Sequence, residues 1–393
     1  MANENPFFIT RIECPICKTI NEFETVRVGA YTEGDRDTDF CPRDIVWRYS
    51  RYQAFDPLVF FTVTCTNCFY TREFTNNFKD WKNDNTFKTY RLKTIKAKHL
   101  EKLAVADSAI RQLGENVDIS QHPNEAAVIK LHLAAIDESF NEHYSRLDMG
   151  RFYLRIGWVY RHIQSGDDPG STFVSGLMHD MDNRMEQLKN SLAGFEDRVI
   201  DFQKQVANHL DSSELTDEFR TKMGPHRDDL HQKVVRVRDA LESVKESFGL
   251  ADERLANYRV NITSEGGGSG EAFGGFPSFA EFMVSLRKDT NAIVVNETEA
   301  LEKAVHYYKD AFANGKDIAP GNQQIQAAYL IAELSRRIGD HDNAKQYFNT
   351  TIKLGQEFIY QNRRDQSRTA LARKILELAI EQGRINLAES KKA

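Results

Sequence analysis

Two cysteine pairs, Cys14-Pro15-Ile16-Cys17 and Cys65-Thr66-Asn67-Cys68, constrain this chain more than any other feature. Two residues between thiolates let one tight turn aim both sulfurs at a single ion. Two such turns supply the four soft ligands that tetrahedral zinc prefers. The flanks, 7–12, 23–28, 58–64 and 69–74, are β-branched and aromatic, so strands are expected on either side of each knuckle, as in a zinc ribbon. Cys14, Cys17, Cys65 and Cys68 are therefore the candidate metal ligands. A site closed by four cysteines leaves no position for water, so the expected role is structural zinc. Iron takes the same donor set and is not excluded. The competing reading of Cys14 and Cys17 is a redox dithiol.

A fifth cysteine, Cys41, sits in Arg36-Asp37-Thr38-Asp39-Phe40-Cys41-Pro42. It reads as a small, partly buried loop residue. The alternatives are a fifth ligand or a reactive thiol.

Past a polar boundary at 76–86 the spacing turns helical. Residues 88–114, 124–144 and 147–164 read as helices. The first carries a cationic run of Lys88, Arg91, Lys93, Lys96, Lys98 and Lys102, with Tyr90 and His99 among them. Such a run is either a solvated face or a phosphate-binding stripe. Gly157, between Tyr153 and Tyr160, leaves room for a neighbouring helix. Gly339, Ala344 and Phe348 have the spacing of a tetratricopeptide repeat over 323–356, with a capping helix at 364–383. Ala304, Tyr308 and Ala311 match the second helix of such a repeat, whose first helix is 147–164. The repeat is thus split by an insertion of roughly 166–294.

The insertion has its own pattern. Met178, Met181, Met185, Leu188, Leu192 and Phe195 open one heptad seam, and Leu230, Val234, Val237, Leu241 and Val244 open another. Gly224-Pro225 lies between them and cannot continue a straight helix. The expectation is an antiparallel coiled-coil hairpin projecting from the stack. Residues 264–276 lack the Lys-Ser/Thr end of a phosphate loop and read as a glycine-rich return linker.

Composition narrows the function. Lys plus Arg is 52 against 58 for Asp plus Glu, which argues against wholesale polyanion binding. No apolar run reaches the ~18 residues of a membrane span, and the start lacks an export signal, so a cytoplasmic protein is expected. There is no HExxH, GxSxG or Glu-x-x-His pattern. His143 and His306 read as structural or surface residues, and no enzyme is expected.

The joint pattern resembles the bacterial domain-of-unknown-function family two-two-two-five. The likeness rests on Cys14–Cys17, 36–40, Asp56-Pro57-Leu58, 65–70, 152–161 and 329–340. It covers about 1–165 and 295–385, with the insertion departing from the usual pattern. It implies cysteine pairs that ligate zinc ahead of tetratricopeptide-like helices, and no established activity.

The expected architecture is mainly α. It comprises a zinc-ribbon module at 1–80, a helical body at 88–165, the inserted hairpin at 166–294 and the rest of the stack at 295–393. The expected function is a non-catalytic scaffold or adaptor with protein partners, able to self-associate through the coiled coil. Nucleic-acid binding through 88–102 is the alternative.

Overall fold

The computed structural model describes residues 6–164 apart from 50, 51 and 54, then 273 and 275–391, with scattered residues between 190 and 244. Met1–Phe173 with Gly270–Ala393 form one compact unit, and Val174–Ser269 form a second. The expected hairpin lies mostly outside the described residues. Those described within it include helical stretches at 197–202 and 231–237. Phe195 and Phe202 are about half exposed there, while Val234 is buried.

The first unit is mainly helical, with three small antiparallel pairs at its N-terminus. Strand β1 (Phe7–Glu13) pairs with β2 (Ile20–Val26), in register from Phe7 opposite Val26 to Glu13 opposite Ile20. Strand β3 (Tyr31–Glu33) pairs with β4 (Ile45–Trp47), and β5 (Thr62–Thr64) with β6 (Thr71–Glu73). The helices are α1 (Leu92–Ala104), entered through a π-type turn over Phe87–Arg91, then α2 (Ala109–Glu115), α3 (Pro123–Ser139) and α4 (Arg146–Gln164). After the second unit come α5 (Phe279–Leu286), α6 (Glu297–Asn314), α7 (Asn322–Arg337), α8 (His341–Gln361) and α9 (Gln366–Glu389).

Two expected bounds shift. The single helix over 88–114 breaks at Val105–Ser108, where the Ser108 hydroxyl accepts the Arg111 N–H and starts a new helix. The insertion ends earlier than 294. Phe273, Phe282, Met283 and Leu286 are buried in the body core, because this short stretch is almost wholly apolar.

The polar boundary at 76–86 does not divide the cores. Phe7, Trp47 and Phe60 share one cluster with α3 and α4, while Phe87 and Ile95 share another with the cysteines. Helix α3 is buried on nearly every face, which forces its polar residues into internal bonds. The fully buried Lys130 gives its ammonium to the Val59 carbonyl, and burial pushes its pKa down to about 7. His132 donates from Nδ1 to the Val128 carbonyl (2.9 Å) and accepts the Val294 N–H at Nε2 (3.1 Å).

Helix α4 packs against α6 across the insertion, so the split pair meets. Gly157 makes room for this contact: a Cβ there would stand 2.9 Å from Leu301 Cδ2. Tyr153 and Tyr160 send their hydroxyls to the carbonyls of Ala292 and Val294 (2.8 and 2.9 Å).

The loop carrying 36–40 is pinned to these helices by charge. Arg161 on α4 reaches Asp39 (2.7 Å), Asp37 (3.1 Å) and Glu297 on α6 (2.6 Å). Arg337 on α7 reaches Asp37 (2.9 Å) and the Thr38 hydroxyl (2.9 Å), and Tyr329 donates to the Thr38 carbonyl (2.8 Å). Burial alone would raise the Asp37 carboxyl. The Thr38 N–H and the Arg337 and Arg43 guanidiniums outweigh it and hold the pKa down to about 2.

Two outcomes are expected. Gly157→Leu destabilises the α4–α6 contact by about 1–3 kcal/mol through overpacking, and urea denaturation at unchanged stability would contradict this. The Asp37 contribution is present above the ordinary aspartate value of 3.8 and is lost as pH falls toward about 2. Asp37→Asn is therefore about 2 kcal/mol less stable at neutral pH, a deficit that closes over that acid window. Parallel pH–stability curves for the two proteins would refute it.

Candidate metal centre

Each cysteine pair occupies the turn of a hairpin, and the two turns are built alike. In the first, the Cys14 N–H donates to the Thr19 carbonyl (2.8 Å) and the Lys18 N–H to the Cys14 carbonyl (3.0 Å). In the second, the Cys65 N–H donates to the Tyr70 carbonyl and the Phe69 N–H to the Cys65 carbonyl, both at 2.9 Å. The residue after each second cysteine, Lys18 and Phe69, takes a left-handed backbone with φ of 68° and 63°. That conformation is unusual for side-chain-bearing residues and persists where its surroundings fix it. The Phe69 ring lies over Gly114 of α2, where a Cβ would come within 2.1 Å of it.

The two turns bring the four expected ligands together. All four sulfurs lie within 4.8 Å of one another, with Cys14–Cys68 at 3.7 Å and Cys17–Cys65 at 3.5 Å. Sulfurs 2.3 Å from a tetrahedral centre stand about 3.8 Å apart, so the set fits a single zinc-sized ion. Cys14, Cys65 and Cys68 are buried and Cys17 is half-buried. The donor set suits zinc and also iron, so the geometry defines a possible metal site and not the element.

Charge makes the same point. Hydrogen bonding to the Cys65 sulfur, then burial, pushes the Cys14 thiol up to about 12, and its neighbours Cys14 and Cys65 likewise raise Cys68. Cys65, which accepts from Cys14 and Cys68, is held well below the usual thiol range. Four thiolates so close together repel one another. A cation would replace the protons, so metal uptake is coupled to proton release.

The surrounding shell is specific. Asn21 accepts the Thr66 N–H and hydroxyl and donates to the Cys65 sulfur (3.5 Å). Trp81 donates to the Glu13 carbonyl (2.8 Å), with the Lys18 ammonium 4.4 Å above its ring. His99 of α1 joins the Cys68 carbonyl through Nε2 (2.8 Å) to Asp137 of α3 through Nδ1 (2.6 Å). Asp137 also accepts the Thr71 N–H (2.8 Å). Burial works against a charged His99, but Asp137 outweighs it and raises the pKa.

His99 was expected within a cationic run and is instead its buried member. Its signal was the four-residue step from the buried Ile95. Lys88, Lys93, Lys98 and Lys102 are exposed, whereas Arg91 pairs with Glu138. His143 and His306 are both exposed, and His306 faces Asp310 at 3.6 Å. Cys41 is not in the four-sulfur group. It is fully buried in its loop, 3.4 Å from His162 Nε2, whose Nδ1 meets Asp56 (2.9 Å). Burial and then Asp39 push the Cys41 thiol up to about 12.

A family model described as uncharacterized proteins conserved in bacteria (DUF2225) matches residues 7–234 and 282–371. The chain belongs to that family. The match runs through the first arm of the insertion, so the departure from the family pattern is narrower than expected and falls at 235–281. No curated protein and no solved structure matches the chain. Among the described residues no helix is long and apolar enough to cross a membrane.

A single metal ion per chain is expected by elemental mass spectrometry of the purified protein. Cys14→Ser should lose tight retention of that ion. Chelation should shift Trp81 fluorescence and leave most helical circular dichroism in place. Stoichiometric retention by Cys14→Ser would refute the four-ligand site.

Proposed function

We propose that this member of the family is a non-catalytic scaffold or adaptor, with zinc as its structural ion. The observation that carries the reading is the closed set of four cysteine sulfurs within 4.8 Å, tied into the helical body through His99 and Asp137. Such a site fixes two hairpins and leaves no open position for a reacting water. The helices α4 and α6 to α9 pack in succession, in keeping with a tetratricopeptide-like stack, whose usual work is holding a peptide or helix. The heptad pattern of the insertion adds a second surface, suited to a partner helix or another copy of the chain. Work in the cytoplasm is part of the same proposal.

The exposed Lys88, Lys93, Lys98 and Lys102 support nucleic-acid binding as the second reading. A tagged pull-down from the native cell separates the two. The full chain is compared, after nuclease treatment, with a version in which 174–269 is replaced by a short linker. The expected result is a protein partner that survives nuclease and is lost with the insertion. Recovery of nuclease-sensitive nucleic acid alone, abolished by Lys93→Glu, Lys96→Glu and Lys98→Glu together, would overturn the adaptor reading.

A further inference from the structure

A cavity of about 710 Å³ opens in the first unit, between the N-terminal hairpins and helices α4, α6 and α7. That volume lies within the roughly 300–1,000 Å³ of small-molecule sites. Its wall carries charges of both signs, and most of them are already paired. Glu33 holds Arg36 (2.5 Å), Asp56 holds His162 (2.9 Å), and Arg151 is tied to Asp148 (3.2 Å).

Arg155, Tyr308 and Glu73 stand apart from these pairs. Arg155 has five N–H donors. Its one polar contact is with the Arg151 carbonyl (3.1 Å), and its guanidinium lies 4.0 Å from the centre of the Phe61 ring. Tyr308 is 2 % exposed and lines the cavity, yet its hydroxyl has no hydrogen-bond partner among the described residues. The carboxylate of Glu73 likewise has no hydrogen bond or ion pair among them. The three form one electrostatic cluster: Arg155 senses both Tyr308 and Glu73.

Polar groups that face a cavity and are partly withdrawn from water favour a ligand that supplies their partners. Burial, full at Tyr308 and partial at Glu73 and Arg155, acts on all three. It raises Glu73, lowers Arg155 and pushes Tyr308 up to about 12. A simple anion placed on Arg155 would face Glu73, and a simple cation placed on Glu73 would face Arg155. A ligand bearing both charges satisfies both residues.

We propose that this cavity binds a zwitterion with an apolar body. Its carboxylate sits on Arg155 and the Tyr308 hydroxyl, and its ammonium on Glu73. Its hydrocarbon packs against Phe61, Leu154 and Trp158, which also line the cavity. A free α-amino acid and a short peptide with both termini share this chemistry. The inference is independent of the adaptor reading.

The test is titration calorimetry on the full-length, metal-loaded protein with four probes: L-leucine, L-leucyl-L-leucine, N-acetyl-L-leucine and L-leucinamide. Saturable binding is expected for at least one of the first two. Binding of L-leucine alone assigns a free amino acid, and binding of the dipeptide alone assigns a short peptide. N-acetyl-L-leucine lacks the cation and L-leucinamide lacks the anion, so each binds about tenfold or more weakly. Arg155→Gln should weaken the zwitterion by about tenfold and Tyr308→Phe by about fivefold. No binding of either zwitterion at millimolar concentration overturns the proposal, as does equal binding of all four probes. An Arg155→Gln protein that binds as well as the unaltered chain overturns it too. Should that variant fail to fold, the four-probe comparison on the unaltered protein decides alone.

Discussion

The body of this protein depends on one guanidinium. Arg161 meets three carboxylates from two distant parts of the chain: Asp37 and Asp39 in the N-terminal loop, and Glu297 at the start of α6. Asp39 is completely buried, and Trp158 also donates to it (3.1 Å). Two carboxylates of one loop, set so close together, repel unless a cation stands between them. Arg161 supplies that cation from one side and Arg337 from the other. The loop and the helices α4, α6 and α7 therefore hold one another in place.

The metal centre solves a parallel problem with the opposite economy of charge. Four sulfurs gather on two turns of local design, and a metal ion held there would bring its positive charge from outside the chain. From there rigidity passes inward through neutral or singly charged groups: the Cys68 carbonyl, His99, Asp137 and the Thr71 N–H. One end of the N-terminal segment thus offers a possible ion site, and the other is held by arginines of the helical body.

The parts legible in the sequence were those encoded by spacing. Two residues between cysteines fix a turn, so the gathering of Cys14, Cys17, Cys65 and Cys68 was readable one pair at a time. The fit of Gly157 against α6 was readable because close helix packing demands a small residue at a helical step. The parts that were not legible rest on contacts between residues far apart in sequence. Nothing local to Arg161 distinguishes it from a surface arginine. Lys130 looks like any helix lysine until α3 is found buried on nearly every side. His99 stands on the same stripe as Ile95, but the six cations in the same run give the segment the composition of a solvated face. Likewise the cut between strands and helices at 76–86 marks a change in local structure and not a change in core, because Tyr70 and Phe87 on either side pack into one cluster.

The placement of the insertion has a consequence for synthesis. Helix α4 emerges from the ribosome well before its partner. Its Tyr153 and Tyr160 hydroxyls wait for carbonyls 139 and 134 residues further on. At about 5–20 residues per second that is a delay of roughly 7 to 28 s. During it, one face of α4, with Tyr153, Ile156 and Tyr160 among its residues, lacks the cover that α6 and 292–294 later give it. Closing so long a loop adds little to the equilibrium cost, since the penalty grows only with the logarithm of length. The burden falls on the nascent chain instead: an unfinished apolar surface has to be kept from other chains until the second half of the body arrives.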